Sequence, residues 1–319
     1  MSMIELADKL RTEGDAYVLL EQLRWGDRPV CPHCGSVGGH YFLTPANGRS
    51  RKTRTGAASE RRVWKCCERG CRKQFSVLTG TIFHGTKIPV RKWLFVIFEM
   101  CASKNGVAAR EIERRYHLTP RSAWFMLHRI REAMKQGPMP QLLSGRVVAD
   151  ETWIGGKPSN RHGHKRSEHL QGEHDRTSVM ALVSRETGEV RSQIIPNVKS
   201  STLRSVLNAN VDATNTHLHT DQGKGYVGLA GDFAGHTRVS HEKGEYVRDG
   251  ASTNQAENFF SQLKRSLDGT FHHVSVEHLP RYLAEFDYRH STRWLTDEER
   301  TERTVRQTAG RRLVYSDSR

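Results

Sequence analysis

The chain has 319 residues, 36% of them hydrophobic, and carries 50 Lys and Arg against 35 Asp and Glu, a formal net charge of +15. That length suits two or three folded units with packed cores, and that charge suits a polyanionic partner, nucleic acid above all. The best apolar run, Trp93 to Phe98, breaks at Glu99 and falls far short of the roughly 18 residues that cross a bilayer. No basic-then-apolar leader opens the chain, so a cytoplasmic protein with no membrane partner is expected.

The first element is a helix over about Met3 to Arg24, with a broken apolar stripe of Ile4, Leu6, Leu10, Leu19, Leu20 and Leu23. Next comes the knuckle Cys31-Pro-His-Cys34-Gly, and later Trp64-Lys-Cys66-Cys67-Glu-Arg-Gly-Cys71. Five of the six cysteines fall between Cys31 and Cys71, which in a reducing compartment points to metal rather than disulfides. Two cysteine knuckles separated by a loop predict a zinc ribbon, because four thiolates around Zn²⁺ replace a core too small to hold itself together. Cys31, Cys34 and Cys71 are ligands on this reading. Cys66 and Cys67 both close the second knuckle; Cys66 is preferred and Cys67 is the spare. Cys101 lies in an apolar helical stretch and reads as core.

Between the knuckles, Asn47 to Arg62 is polar and basic, and Arg49, Arg51, Lys52 and Arg54 stand there with no acid among them. A loop that contacts phosphates is expected. Residues Val90 to Ser103 and Val107 to Tyr116 predict two helices, and Thr119-Pro120 caps and opens a third. The last two resemble a helix-turn-helix in which Arg121 and Arg129 would face DNA. A plain helical hairpin between domains is the other reading.

Past Gly137-Pro-Met-Pro140 the texture changes to strands. Arg146 to Gly156 reads as a strand with the Asp150 carboxylate in mid-run, ended by a glycine turn, and that carboxylate is costly unless a cation or partner meets it. Ser178 to Ser184 and Glu189 to Ile195 flank Arg-Glu-Thr-Gly as a hairpin. A helix over about Ser201 to Asn208 follows, and then Thr216 to Asp221 places a second acid at a strand end. Three strands, a helix and a fourth strand match the order of an RNase H-like α/β domain. Thr253 to Arg265 predicts a helix with Asn254, Glu257, Ser261 and Lys264 along one face. Glu151 alternates to the opposite face from Asp150 and is not expected as a ligand. The histidines His162, His164, His169 and His174 read as residues of a DNA-facing loop, with a second metal site as the lesser alternative, and His272, His273, His278 and Arg289 could face the site, although caps and packing explain them adequately.

Carboxylates drawn from two strands and a helix repel one another, and such a set persists chiefly around hard divalent cations, Mg²⁺ or Mn²⁺. Two such ions suit in-line displacement at phosphorus.

These residues carry a resemblance. The runs Cys-Pro-His-Cys-Gly, Cys71-Arg-Lys-Gln-Phe-Ser-Val-Leu-Thr-Gly-Thr-Ile-Phe83, Asp150-Glu-Thr-Trp-Ile-Gly-Gly-Lys157, Thr220-Asp221, Asn254-Gln-Ala-Glu257-Asn-Phe-Phe-Ser-Gln-Leu-Lys264-Arg265 and Tyr282 to Arg289 resemble bacterial insertion-sequence transposases of the DDE superfamily, zinc-ribbon group. The resemblance implies a catalytic set of Asp150, Asp221 and a third ligand, with Glu257 preferred and Asn254 assisting or replacing it. It also implies that Lys264, with Arg265 beside it, contacts DNA. The expected organisation is an N-terminal helical segment (1–27), a zinc ribbon with basic loop (28–88), a helix-turn-helix-like region (89–137), an RNase H-like catalytic domain (145–295) and a basic C-terminal tail (296–319). The implied activity is metal-dependent cleavage at element ends and strand transfer into target DNA. The partners would be double-stranded DNA, as terminal inverted repeats and target, and further copies of the chain assembled on it. A nuclease or resolvase, or a silent DNA-binding regulator, is the competing reading.

Overall fold

In the computed structural model, which describes residues 2–44, 60–137, 141–155, 176–229, 231–239 and 252–318, the chain divides into two units: Met1–Met134 with Trp294–Arg319, and Lys135–Arg293.

The first unit opens with two helices where the sequence predicted one. α1 (Met3–Lys9) and α2 (Glu13–Trp25) are separated because Ser2 and Thr12 each form a capping box, with Glu5 and Asp15 answering three residues later. Three two-residue strands, β1 (Tyr41–Phe42), β2 (Trp64–Lys65) and β3 (Gln74–Phe75), pair antiparallel in that order. Helix α3 (Val90–Ala102) is buried over most of its surface, with Trp93, Leu94, Val96, Ile97 and Met100 inside. Its first amides, on Val90 and Arg91, are met by the Glu13 carboxylate of α2. Helix α4 (Ala109–Tyr116) ends at His117, which is left-handed at φ 49°. Thr119 then accepts from the Ser122 amide at 3.2 Å and opens α5 (Pro120–Met134).

The segment 296–319, expected as a basic tail, carries a helix, α9 (Asp297–Arg306), packed on α2, α3 and α5. Its buried face is made of Thr301 and Thr304 beside Val305, so no apolar stripe marks it. Each threonine hydroxyl donates to the carbonyl one turn back, Thr301 to Asp297 at 2.7 Å and Thr304 to Arg300 at 2.9 Å, which lets polar residues pack in the interior.

The second unit is a five-stranded sheet between helices. Its strands are β4 (Leu143–Ile154), β5 (Thr177–Ser184), β6 (Val190–Ile195), β7 (Val211–Asp221) and β8 (Gly235–Val239), in the order β6-β5-β4-β7-β8. β4, β5 and β6 pair antiparallel, while β7 runs parallel to β4 and β8 parallel to β7. Alternation along β4 sends Val147 and Ala149 to one face, where α6 (Ser200–Asn210) contributes Leu203, Val206 and Leu207. Val148 faces the other side, against α7 (Asn254–Ser266) and α8 (Leu279–Ser291) through Ala256, Phe259, Phe260, Leu263, Leu283 and Phe286. Asp287 of α8 is fixed to β6, accepting from the Ser192 amide at 2.9 Å and the Ser192 hydroxyl at 2.6 Å.

Candidate functional site

Zinc needs ligands on short, stiff loops, and both knuckles supply them. The Gly35 amide donates to the Cys31 carbonyl at 2.9 Å, and the Cys71 amide donates to Glu68 at 3.0 Å. Trp25, Trp64 and Phe75 pack around the sulfurs. Tetrahedral Zn–S bonds of about 2.3 Å place sulfurs about 3.8 Å apart. Cys31 Sγ lies 3.8 Å from Cys71 Sγ, and Cys34 Sγ lies 3.7 Å from Cys66 Sγ. All four ligand atoms fall within 4.8 Å of one another. The donor set therefore fits a structural zinc. Cys66 is fully buried in this group, whereas Cys67 is exposed.

The second site is acidic. Asp150 lies in the central strand β4, opposite Ala181 of β5. The parallel pairing of Val148 with His219, continued by two residues, sets Asp150 beside Asp221 on the face that α7 covers. Glu257 stands on the exposed side of α7, where its Oε1 accepts from the Thr253 hydroxyl at 2.8 Å. Asp221 Oδ1 accepts from the Gly223 amide at 2.8 Å. A side chain at position 223 would bring its Cβ to 2.8 Å from that oxygen, so glycine is what lets the amide approach.

Burial pushes the Asp150 carboxyl up to about 7, and repulsion from Glu151, Asp221 and Glu257 adds to it, against a backbone hydrogen bond from Glu151. The charges of Asp221 and Glu257 thus reach the same half-buried group. These carboxylates are set wider than the thiolates: among the described residues, the cysteines are the group whose ligand atoms lie within 4.8 Å of one another. Hard oxygen donors around a half-buried carboxyl that they repel are a donor set suited to a divalent cation.

Asn254 is exposed at the start of α7, one turn before Glu257, and Ser261, Lys264 and Arg265 are exposed further along it. Glu151 points to the other face, where it accepts the hydroxyl proton of Tyr226 and burial raises its pKa. Tyr226 carried no signal in the sequence that tied it to this site. Arg289, suggested above as a cap or packing residue, is buried in an ion pair with Glu285 at 2.7 Å.

In the first unit the structure separates the two proposed readers. Arg121 is exposed, its guanidinium 3.8 Å from the Tyr315 ring centroid. Arg129 is only 6% exposed, donates to the His84 carbonyl at 2.7 Å and lies over the rings of Trp93 and Phe125. A guanidinium enclosed in this way cannot reach a base, which corrects its assignment as a DNA contact. Arg49, Arg51, Lys52 and Arg54, and the histidines at 162, 164, 169 and 174, lie outside the described residues.

Residues 11–74 match the family model for a transposase zinc-ribbon domain, and residues 142–291 match the model for an ISXO2-like transposase domain. Both matches are to transposase domains. They cover the cysteine knuckles and all three carboxylates. The chain is also 26% identical over 289 residues to an uncharacterized protein in transposable element ISH50 of Halobacterium salinarum, covering 87% of this chain and 90% of that protein. A chain from the cryo-EM structure of a simian T-cell lymphotropic virus intasome with PP2A regulatory subunit B56 gamma is 14% identical, covering 55% of this chain and 63% of that one; its TM-score is 0.28, too low to indicate a shared fold. No described helix is long and apolar enough to cross a membrane.

Proposed function

We propose that the chain is a DNA transposase of the DDE type, with a zinc-ribbon and helix-turn-helix-like front end and an RNase H-like catalytic domain. Supporting the domain reading are three antiparallel strands, a helix and two further parallel strands, with a helix returning across the sheet face that carries Asp150. The observation that carries the catalytic reading is Asp150, a half-buried carboxyl on which the charges of both Asp221 and Glu257 act.

Asp150, Asp221 and Glu257 would hold Mg²⁺ or Mn²⁺, with Asn254 within reach of the same end of α7. Such ions supply activation of an attacking oxygen and stabilisation of a leaving one at phosphorus. The chain's own task is to hold the scissile strand: Lys264 and Arg265, exposed on α7 beyond Glu257, would bind its phosphates. Arg121 and the basic loop with Arg49, Arg51, Lys52 and Arg54 would bind element-end DNA. Joining an element end to a target engages several DNA segments, which suits several copies of the chain on DNA in the cytoplasm.

The test is a cleavage and joining assay on duplexes carrying the element's terminal repeat, with Asp150→Asn as control. Metal-dependent nicking and strand transfer by the wild type, both lost in Asp150→Asn, is expected. Nicking without joining would make the chain a nuclease, and activity retained in Asp150→Asn would end the catalytic reading.

A further inference from the structure

The run from Ser76 to His84 belongs to neither metal site, yet its polar groups are committed to building one turn. Thr79 Oγ1 accepts from the Ser76 amide at 3.1 Å, and the Thr81 hydroxyl donates to the Leu78 carbonyl at 2.8 Å. Gly80, at φ +70°, donates its amide to His84 Nδ1 at 3.2 Å. This turn frames a cavity of about 200 Å³, lined in part by Arg61, Ser76, Thr79, His84 and Thr86. Because Nδ1 accepts, the neutral His84 ring carries its proton on Nε2, and the residue lines the cavity.

The surroundings are electropositive. Arg129 donates to the His84 carbonyl at 2.7 Å, and Arg312, Arg129 and Arg61 all act on the His84 ring, adding to burial in holding it below the usual histidine value. The acids whose charges act on Tyr17 in the cavity wall, Glu13 and Glu21, are committed elsewhere, and Glu60, next to Arg61, accepts from the Gly14 amide. Glu13 caps α3, and Glu21 accepts from Arg62 Nε and Trp64 Nε1, each at 2.8 Å. A guanidinium and an imidazole N–H beside a half-open space complement a tetrahedral oxyanion. At about 30 Å³ per water, the space has room for one phosphate with solvent.

We propose that this cavity is a phosphate-binding site that takes one backbone phosphodiester of bound DNA. The proposal rests on the reading of the first unit as a DNA-binding front end. It assigns a role to the Ser-Val-Leu-Thr-Gly-Thr run, whose hydroxyls set the shape of the turn while Arg61 and His84 face the anion.

The test uses the full zinc-loaded chain, with duplex affinity measured across a salt series for wild type, Arg61→Ala and His84→Gln. Unfolding temperature and zinc content confirm that each variant is folded. The log–log salt slope should flatten by about 0.9 in Arg61→Ala, the loss of one phosphate contact, equally on terminal-repeat and random duplexes. His84→Gln should weaken both duplexes alike, and duplex should move the His84 ring resonances of ¹⁵N-labelled protein. Wild type that binds DNA with the same slope as Arg61→Ala overturns the proposal while leaving DNA binding intact. Wild type that binds no duplex overturns the front-end reading and the proposal with it. If inorganic phosphate moves the His84 signal and duplex does not, the cavity takes free phosphate and the backbone assignment is wrong.

Discussion

Tyr226 donates its hydroxyl proton to Glu151, the residue next to Asp150, from the turn that begins immediately after Asp221. The bond ties the carboxylate ends of β4 and β7 together, and the Gly223 amide in the same turn orients Asp221 at 2.8 Å. Tyr226→Phe leaves a half-buried carboxylate without its partner, which costs on the order of 1–3 kcal/mol of stability. Turnover should fall about tenfold with duplex affinity unchanged. Glu151→Gln keeps an acceptor for the hydroxyl and should retain more activity than Glu151→Ala. Single-turnover cleavage beside duplex binding measures both, and a Tyr226→Phe protein as fast as wild type would detach this pair from the site.

The zinc ribbon should behave as a metal-dependent fold. Cys66→Ser should release zinc and unfold the ribbon, because Cys66 is buried among the other three sulfurs, while Cys67→Ser should keep zinc and stability. Zinc content per chain and thermal unfolding decide it. Equal loss in both variants would show that the second knuckle shares its ligand between the two cysteines.

What the sequence made legible was whatever obeys a spacing rule. The cysteine knuckles, the hairpin at Arg185 to Gly188 and the carboxylates in β4, β7 and α7 all carry patterns that one strand or one helix imposes. What it hid depends on neighbours far along the chain. Strand β8 reads Gly-His-Thr-Arg-Val, with no apolar alternation, and is a strand because it pairs with His217 to Asp221. The α9 face of threonines was invisible to a search for apolar stripes. His128, Arg129 and Arg131 are polar residues of α5, yet all three are buried. Their burial follows from the packing of α3, α4 and α9 around that helix, which no local pattern reports.

The two arginines of α5 should therefore respond differently. Arg129→Ala removes a guanidinium that bridges the His84 carbonyl and two aromatic rings, and should lower the unfolding temperature by several degrees. Arg121→Ala should leave stability nearly unchanged and weaken duplex binding. Scanning calorimetry and a binding titration on the same preparations make the comparison. Loss of base discrimination in a fully stable Arg129→Ala protein would restore Arg129 as a reader.

Asp287 predicts a pH dependence of stability in the sheet unit. Burial pushes its carboxyl up to about 8 from an ordinary 3.8, partly offset by the bonds from Ser192, with Glu189 adding repulsion. Between those values the folded protein keeps a proton that the unfolded chain has lost. The stabilisation is thus full below the unfolded value and disappears as pH rises through about 8. Asp287→Asn is neutral throughout and can retain both Ser192 contacts, so its melting temperature should gain on wild type as pH goes from 5 to 9. A gap that stays constant over that range would mean that Asp287 is ionised in the fold.

The third ligand on α7 can be decided directly. Glu257 is exposed on the helix, held by the Thr253 hydroxyl at 2.8 Å, and its charge reaches Asp150. Asn254 sits one turn earlier, its backbone N–H donating to the Ser252 hydroxyl at 3.1 Å, and its side chain brings no charge. A dication among carboxylates gains more from a third anion than from an amide oxygen. Glu257→Gln should therefore weaken Mn²⁺ binding, read by calorimetry without DNA, and cut cleavage on the order of 10³-fold or more. Asn254→Ala should leave Mn²⁺ affinity close to wild type and slow cleavage modestly. Duplex affinity should hold in both variants, since neither residue carries positive charge. If Asn254→Ala loses the ion and Glu257→Gln keeps it, the set is Asp-Asp-Asn, and Glu257 acts only as the acid whose field raises Asp150.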